Sequence, residues 1–222
     1  SHFHPLLSSL ICGAARLMLA ITEHLVTEQG LDWSFCDTDS MAIAKPDAME
    51  IVQFQARVAN VVKYFETLNP YDFAGSILQI EKANLALDNP AMPEPLYCLA
   101  ISAKRYALFN LSTDKQPLLR KASAHGLGHL IEPYDETCPS KTMQPPAIAL
   151  SAIGVALWQH DLWLSIINAA LAGKPDQVDL SFHPALNMPA NSRYAATTPS
   201  LLSWFKTYNK DREYSDQVKP FN

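Results

Sequence analysis

The chain lacks an evident membrane segment. Its most apolar stretch, Leu6 to Ile21, is interrupted by Arg16 and diluted by Ser, Cys, Gly and Ala. A bilayer-crossing helix takes about 20 predominantly apolar residues, so no membrane partner is expected. No secretory signal is apparent. The four cysteines, Cys12, Cys36, Cys98 and Cys138, form no C-x-x-C pair and no tight cluster. Neither a disulfide framework nor a zinc site is expected from that spacing. Cys12 and Cys36 lie in apolar segments, where a buried reduced thiol is the expected state. Internal repeats and low-complexity tracts are also missing. These absences together lead us to expect a cytoplasmic protein.

Positive charge is in deficit as well. The 222 residues carry 17 Lys and Arg against 22 Asp and Glu, a net charge of -5 and a pI near 5.8. That balance excludes a protein that simply coats DNA. The charge is unevenly placed, however. Residues 1–99 hold five basic residues (Arg16, Lys45, Arg57, Lys63, Lys82) against twelve acidic ones. Residues 101–129 hold Lys104, Arg105, Lys115, Arg120 and Lys121 against Asp114 alone. An acidic part followed by a basic part suits a chain that holds cations in one place and phosphates in another. The composition, 48% hydrophobic and 18% charged, is ordinary for a globular protein of one large or two small domains.

Pro5 opens a helical pattern, a position where Pro is tolerated. Apolar residues from Leu6 to Leu25 recur at three- and four-residue spacing, and Gly30 is a stop signal. Trp33–Cys36 and Met41–Ala44 read as short strands around Asp37-Thr38-Asp39-Ser40, which is turn chemistry. Asp47-x-x-Glu50 resembles a capping box with Asp47 as N-cap, predicting a helix that runs to Asn69-Pro70. Ile77–Lys82 reads as a strand and residues 88–95 as a Pro-rich loop. Leu96–Ile101 and Tyr106–Leu111 read as a strand pair. Pro145-Pro146 precedes one long helical pattern, Ala147–Leu171, ended by Gly173 and Pro175. A shorter helix, Pro199–Tyr208, follows. Trp158, Trp163 and Trp204 fit core positions, and His160 fits packing or surface. The fold class is thus expected to be α+β. An α+β part with antiparallel strands spans residues 1–140, and a mainly helical part spans 141–222.

The run Phe35-Cys36-Asp37-Thr38-Asp39-Ser40 carries the most chemistry. Two carboxylates one residue apart on a hairpin make a compact site for a hard cation. Mg²⁺ takes oxygen ligands and keeps waters and phosphates as its remaining partners. Two-metal phosphoryl transfer needs such carboxylates beside both ions. A solvated β-turn selects the same residue types.

This run resembles motif C of family B DNA polymerases, Y-x-D-T-D-S, with Phe35 in the Tyr place. Ser102-Ala103-Lys104-Arg105-Tyr106-Ala107 resembles the K-x-Y element that follows motif C in that family and contacts the primer-template. Lys and Arg bind phosphates and groove acceptors, and Tyr offers a flat face with a hydroxyl. The opening helix has the position and length of the one that precedes motif C. Arg120, Lys121 and the segment to His129 lie where the family passes from palm to thumb. The wording around Leu99–Tyr106 and Lys121–His129 is similar to a bacterial polymerase B-like subgroup.

The resemblance implies a palm-like part with motif C and K-x-Y, then a thumb-like part. It implies Asp39 as principal metal ligand and Asp37 as second ligand or tuning carboxylate, both catalytic. Lys104, Arg105 and Tyr106 would hold primer-template DNA, with Mg²⁺ or Mn²⁺ as cofactor and deoxynucleoside triphosphates as substrates. Motif A (D-x-x-S-L-Y-P-S) and motif B (K-x-x-x-N-S-x-Y-G) are not found here and would lie before Ser1. The chain is therefore expected to be the C-terminal portion of a longer polymerase, inactive alone and holding metal weakly or not at all. Two alternatives stay open. One is a polymerase relic that binds DNA without catalysis. The other is a metal-dependent hydrolase using Asp37, Asp39 and the His125/His129 pair, whose H-x-x-x-H spacing lacks the general-base Glu of the zinc hydrolases.

Overall fold

A computed structural model describes residues 4–72, 74–102, 104–123, 144–181, 186 and 199–217. The fold is α+β, with two small antiparallel sheets and several helices. Helix α1 spans Pro5–Glu28. Pro5 takes its first turn, and His4 Nδ1 caps it by accepting from the Leu7 N–H at 3.2 Å. At the other end Gly30 adopts φ +66°. Its N–H reaches the Thr27 carbonyl and the Leu31 N–H reaches Val26, a Schellman arrangement that requires a left-handed residue.

Only Thr22 and Val26 of α1 are buried, while Leu6, Leu7, Leu10, Ile11 and Leu17 are each more than half exposed. By length and composition α1 is apolar enough to cross a membrane. This corrects the expectation that no such run exists, since one Arg in 24 residues does not offset the leucines and isoleucines around it. Cys12 is exposed on this helix and Cys36 half-buried, so neither is the fully buried thiol expected.

Strands β1 (Asp32–Asp37) and β2 (Ser40–Ala44) form an antiparallel hairpin with Asp37 opposite Ser40. Helix α2 (Ile51–Tyr64) follows. Asp47 is not its N-cap. Residues 46–49 close a separate turn, pinned by the Lys45 ammonium donating to the Pro46 and Met49 carbonyls, and the helix starts one turn later after Glu50. Val26, Leu31, Phe54 and Val61 form one core, with Met41, Ile43 and Leu78 packed on it.

The expected strand at 77–82 does not form. Ser76 donates to the Val62 carbonyl and accepts from the Leu78 N–H, which drops Leu78 into that core instead of onto a sheet edge. A 3₁₀ turn at Lys82–Asn84 comes next.

The second sheet has the order β3 (Tyr97–Ser102), β4 (Arg105–Leu111), β5 (Pro117–Ala122), all antiparallel. Strand β5 was not expected. Its Arg120 is a core residue rather than part of an exposed basic segment: at 2% exposure it donates to Glu94 and to the Ala83 and Leu85 carbonyls. The long pattern at 147–171 is two helices, α3 (Leu150–Ile153) and α4 (Leu157–Leu171), broken where Gly154 takes φ +90°. Ile153, Trp163 and Ile167 pack on Ala107, Phe109, Leu119 and Ala122 of the sheet. His160 and Trp158 are buried.

By its contacts the chain divides into residues 1–183 and 184–222, and within the first unit α3 and α4 pack on β5. The second unit contains helix α5 (Pro199–Tyr208). There Trp204 stacks on Tyr208 at 4.9 Å, and the Arg212 guanidinium lies 4.2 Å from the Tyr208 ring centre. Trp204 is half exposed, not core, because its ring lies along its own helix.

Candidate functional site

The site begins with a strained turn. Two residues, Thr38 and Asp39, link β1 to β2, and Thr38 takes φ +56°. A β-branched residue there costs about 1–2 kcal/mol relative to an ordinary conformation. The Asp39 N–H donates to the Asp37 carbonyl at 2.7 Å and the Ser40 hydroxyl donates to the same oxygen at 3.1 Å. The Thr38 hydroxyl donates to Asp37 Oδ1 at 3.1 Å. The turn therefore fixes the Asp37 carboxylate and leaves Asp39 exposed.

A second turn meets the first. Ser102 pairs with Arg105, so Lys104 stands on the β3–β4 tip. Its ammonium lies 2.7 Å from Asp37 Oδ1 and 3.3 Å from the Thr38 hydroxyl. Ser123, just past β5, holds this tip from behind: its hydroxyl donates to the Lys104 carbonyl and its N–H to the Tyr106 carbonyl.

Side chains alternate across a strand, so Lys104 and Tyr106 turn to one face. Both line the cavity there and Arg105 does not. The Tyr106 ring is buried under Phe35, with centroids 4.3 Å apart, so its flat face is taken by the protein and the hydroxyl is what reaches the cavity.

Behind Tyr106 lies a third contact. The Lys121 ammonium donates to the Glu81 carboxylate, and Tyr106 lines the cavity beside it. Burial pushes the Tyr106 phenol above its ordinary range, against the opposing pull of Lys121. For Lys121, burial acts to lower the ammonium, but the Glu81 carboxylate, joined by Tyr106, outweighs it and holds it above the ordinary lysine range. At neutral pH the site therefore presents a neutral phenol and a charged ammonium.

The cavity so formed has a volume of about 520 Å³. The acidic turn Asp37–Ser40 lines it together with Lys104, Tyr106, the β5 end Lys121–Ser123, Glu81, Gly154 and Gln159. Sequence reading had four of these apart from the turn neighbours: Asp37, Asp39, Lys104 and Tyr106. It missed Glu81, Ser123, Gly154 and Gln159. It noted Lys121 only as part of a basic segment, although the positive excess over 101–129 was the available signal.

Among the described residues no three His, Cys, Asp or Glu side chains gather as a ligand set. Asp37 Oδ1 already receives an ammonium, which leaves Asp39 as the accessible carboxylate of the turn. These residues alone do not form a two-metal centre. His125 and His129, and with them the zinc alternative, lie outside the described residues. No family model, no curated protein and no solved structure matches this chain.

Proposed function

We propose that this chain supplies the motif C turn and the primer-template grip of a family B-like DNA polymerase, with a palm-like part followed by a thumb-like part. One observation carries the reading. Two short motifs that resemble consecutive elements of that family, 67 residues apart in sequence, meet at Lys104 and Asp37 beside one polar cavity. Under this reading the chain's residues grip and position. Lys104 binds a backbone phosphate of the primer-template, shared with or released from Asp37. The Tyr106 hydroxyl, on a ring immobilised by Phe35, sets the height of the duplex in the cavity. Asp39 presents its carboxylate toward the primer end, where Mg²⁺ or Mn²⁺ would be held with further ligands from outside this sequence. The reaction of the whole enzyme would be transfer of a deoxynucleotidyl group to a primer 3′-hydroxyl.

A second reading is a DNA-binding module without catalysis. It is favoured by the ammonium at Asp37, which stands where a cation ligand would otherwise be open. Fluorescence anisotropy with a labelled primer-template duplex tests the grip that both readings share. Primer extension by the native gene product separates them. Salt-sensitive binding with extension supports the polymerase, and binding without extension supports the module. Absence of binding sinks both.

A further inference from the structure

Two ammonium groups line the cavity, and a carboxylate from a distant part of the chain holds each of them. Lys104 meets Asp37, and Lys121 on β5 meets Glu81, 40 residues earlier. The first pair falls within the two sequence motifs. The second falls within neither.

The Lys121–Glu81 pair differs in kind from the core ion pair of Arg120. Arg120 is closed off at 2% exposure and is occupied by Glu94 and two backbone carbonyls. Lys121 is 29% exposed and Glu81 43% exposed, and both line an open polar space. Ion pairs this accessible add little to stability. Their effect is to fix the position of the lysine and to cancel its charge. An ammonium has three N–H donors. Glu81 engages Lys121 without enclosing it. A phosphodiester offers the same chemistry as Glu81, an anionic oxygen that accepts a charge-assisted hydrogen bond.

We infer that Lys121 is a second phosphodiester-binding cation of this cavity and that Glu81 is the internal carboxylate that occupies it until nucleic acid arrives. This rests on the nucleic-acid reading given above. On binding, Lys121 exchanges the Glu81 carboxylate for a backbone phosphate. Lys104 exchanges Asp37 in the same way. A lone small anion must displace a tethered carboxylate for one contact. A polyanion that engages both lysines gains two contacts at once. The carboxylates thus select for a continuous backbone over isolated anions.

The test is a double-mutant cycle on the whole chain, read by anisotropy of a labelled primer-template duplex across a salt series. Glu81→Gln is expected to tighten binding about three- to tenfold and to steepen the salt dependence by up to about one unit. Lys121→Ala is expected to weaken binding, and in that background Glu81→Gln is expected to have no effect. Lys121→Arg keeps the cation and is expected to retain binding, which separates loss of charge from loss of fold. Equal tightening with and without Lys121 would show a diffuse charge effect and overturn the proposal. So would an unchanged affinity in Glu81→Gln when Lys104→Ala weakens binding, although the nucleic-acid reading would then stand. No binding by wild type, Glu81→Gln or Lys121→Arg overturns both.

Discussion

Lys104 reaches 67 residues back along the chain to place its ammonium 2.7 Å from the Asp37 carboxylate. Asp37 ends β1 at the turn of one hairpin, Lys104 stands at the turn of another, and the two hairpins belong to different sheets. The ring pair Phe35–Tyr106 packs directly behind them. One polar contact at the surface and one aromatic contact below it therefore set the spacing of the two hairpins.

Lys104→Ala is expected to weaken primer-template binding and to flatten its salt dependence by about one unit, the signature of one lost phosphate contact. Its effect on stability is expected to stay below about 1 kcal/mol, because the ammonium is more than half exposed and well solvated. Anisotropy over a salt series and urea denaturation measure the two effects. An unchanged slope counts against a phosphate role.

Asp39→Ala is expected to abolish primer extension by the native gene product while leaving duplex binding within about twofold. Its carboxylate is exposed at the turn and Lys104 is held by Asp37, so the grip does not depend on it. Normal extension by that variant would end the polymerase assignment.

Arg120→Ala is expected to cost about 3 kcal/mol of stability in denaturant unfolding. The substitution strands Glu94, which also accepts from Asn110, and leaves the Ala83 and Leu85 carbonyls without their donor. A change under 1 kcal/mol would contradict a structural role for this buried cation.

Gly154→Ala is expected to destabilise by about 1–2 kcal/mol through backbone conformation rather than crowding. The residue has φ +90°, and a Cβ there would make only an ordinary contact, 3.6 Å from the Ala122 carbonyl oxygen. Asparagine, which tolerates left-handed φ better, is expected to cost less than alanine. Equal losses for both would point to packing instead.

Alkaline pH is expected to erode stability through Tyr106 and Lys121. Both bind their protons more tightly in the fold than in the unfolded chain. Their contribution is therefore complete below their ordinary values of 10.0 and 10.5 and falls as pH rises through the raised folded values. Tyr106→Phe is expected to make the fall above pH 10 shallower. Unfolding curves taken from neutral to strongly alkaline pH measure this, and an unchanged decline in the variant would refute the assignment.

Several elements are legible in the sequence alone. Gly30 marked the end of α1, and it does so because a left-handed residue must close the Schellman turn. Asp-Thr-Asp-Ser marked a turn between strands, and a turn stands there. Leu96–Ile101 and Tyr106–Leu111, two apolar runs around Ser102-Ala103-Lys104-Arg105, marked the β3–β4 pair. Other elements misled for definite reasons. Ile77–Lys82 has strand composition, but Ser76 ties it to the end of α2 and, among the described residues, no strand lies alongside. Arg120 looked like surface charge because its partner, Glu94, comes from the Pro-rich loop 26 residues earlier. The expected single helix 147–171 breaks at Gly154, whose φ of +90° nothing in the neighbouring sequence requires.

The sequence by itself determined the helices, turns and strands whose signals are local: capping residues, left-handed glycines, periodicity, and the pairing of carboxylates on one turn. It also determined which residues could carry charge at a site. Tertiary structure alone decided which charges meet. Lys104 finds Asp37, Lys121 finds Glu81 and Arg120 disappears into the core, because ion-pair partners depend on how separate hairpins and loops pack, and hydrophobic burial fixes that packing over distances that no local pattern records.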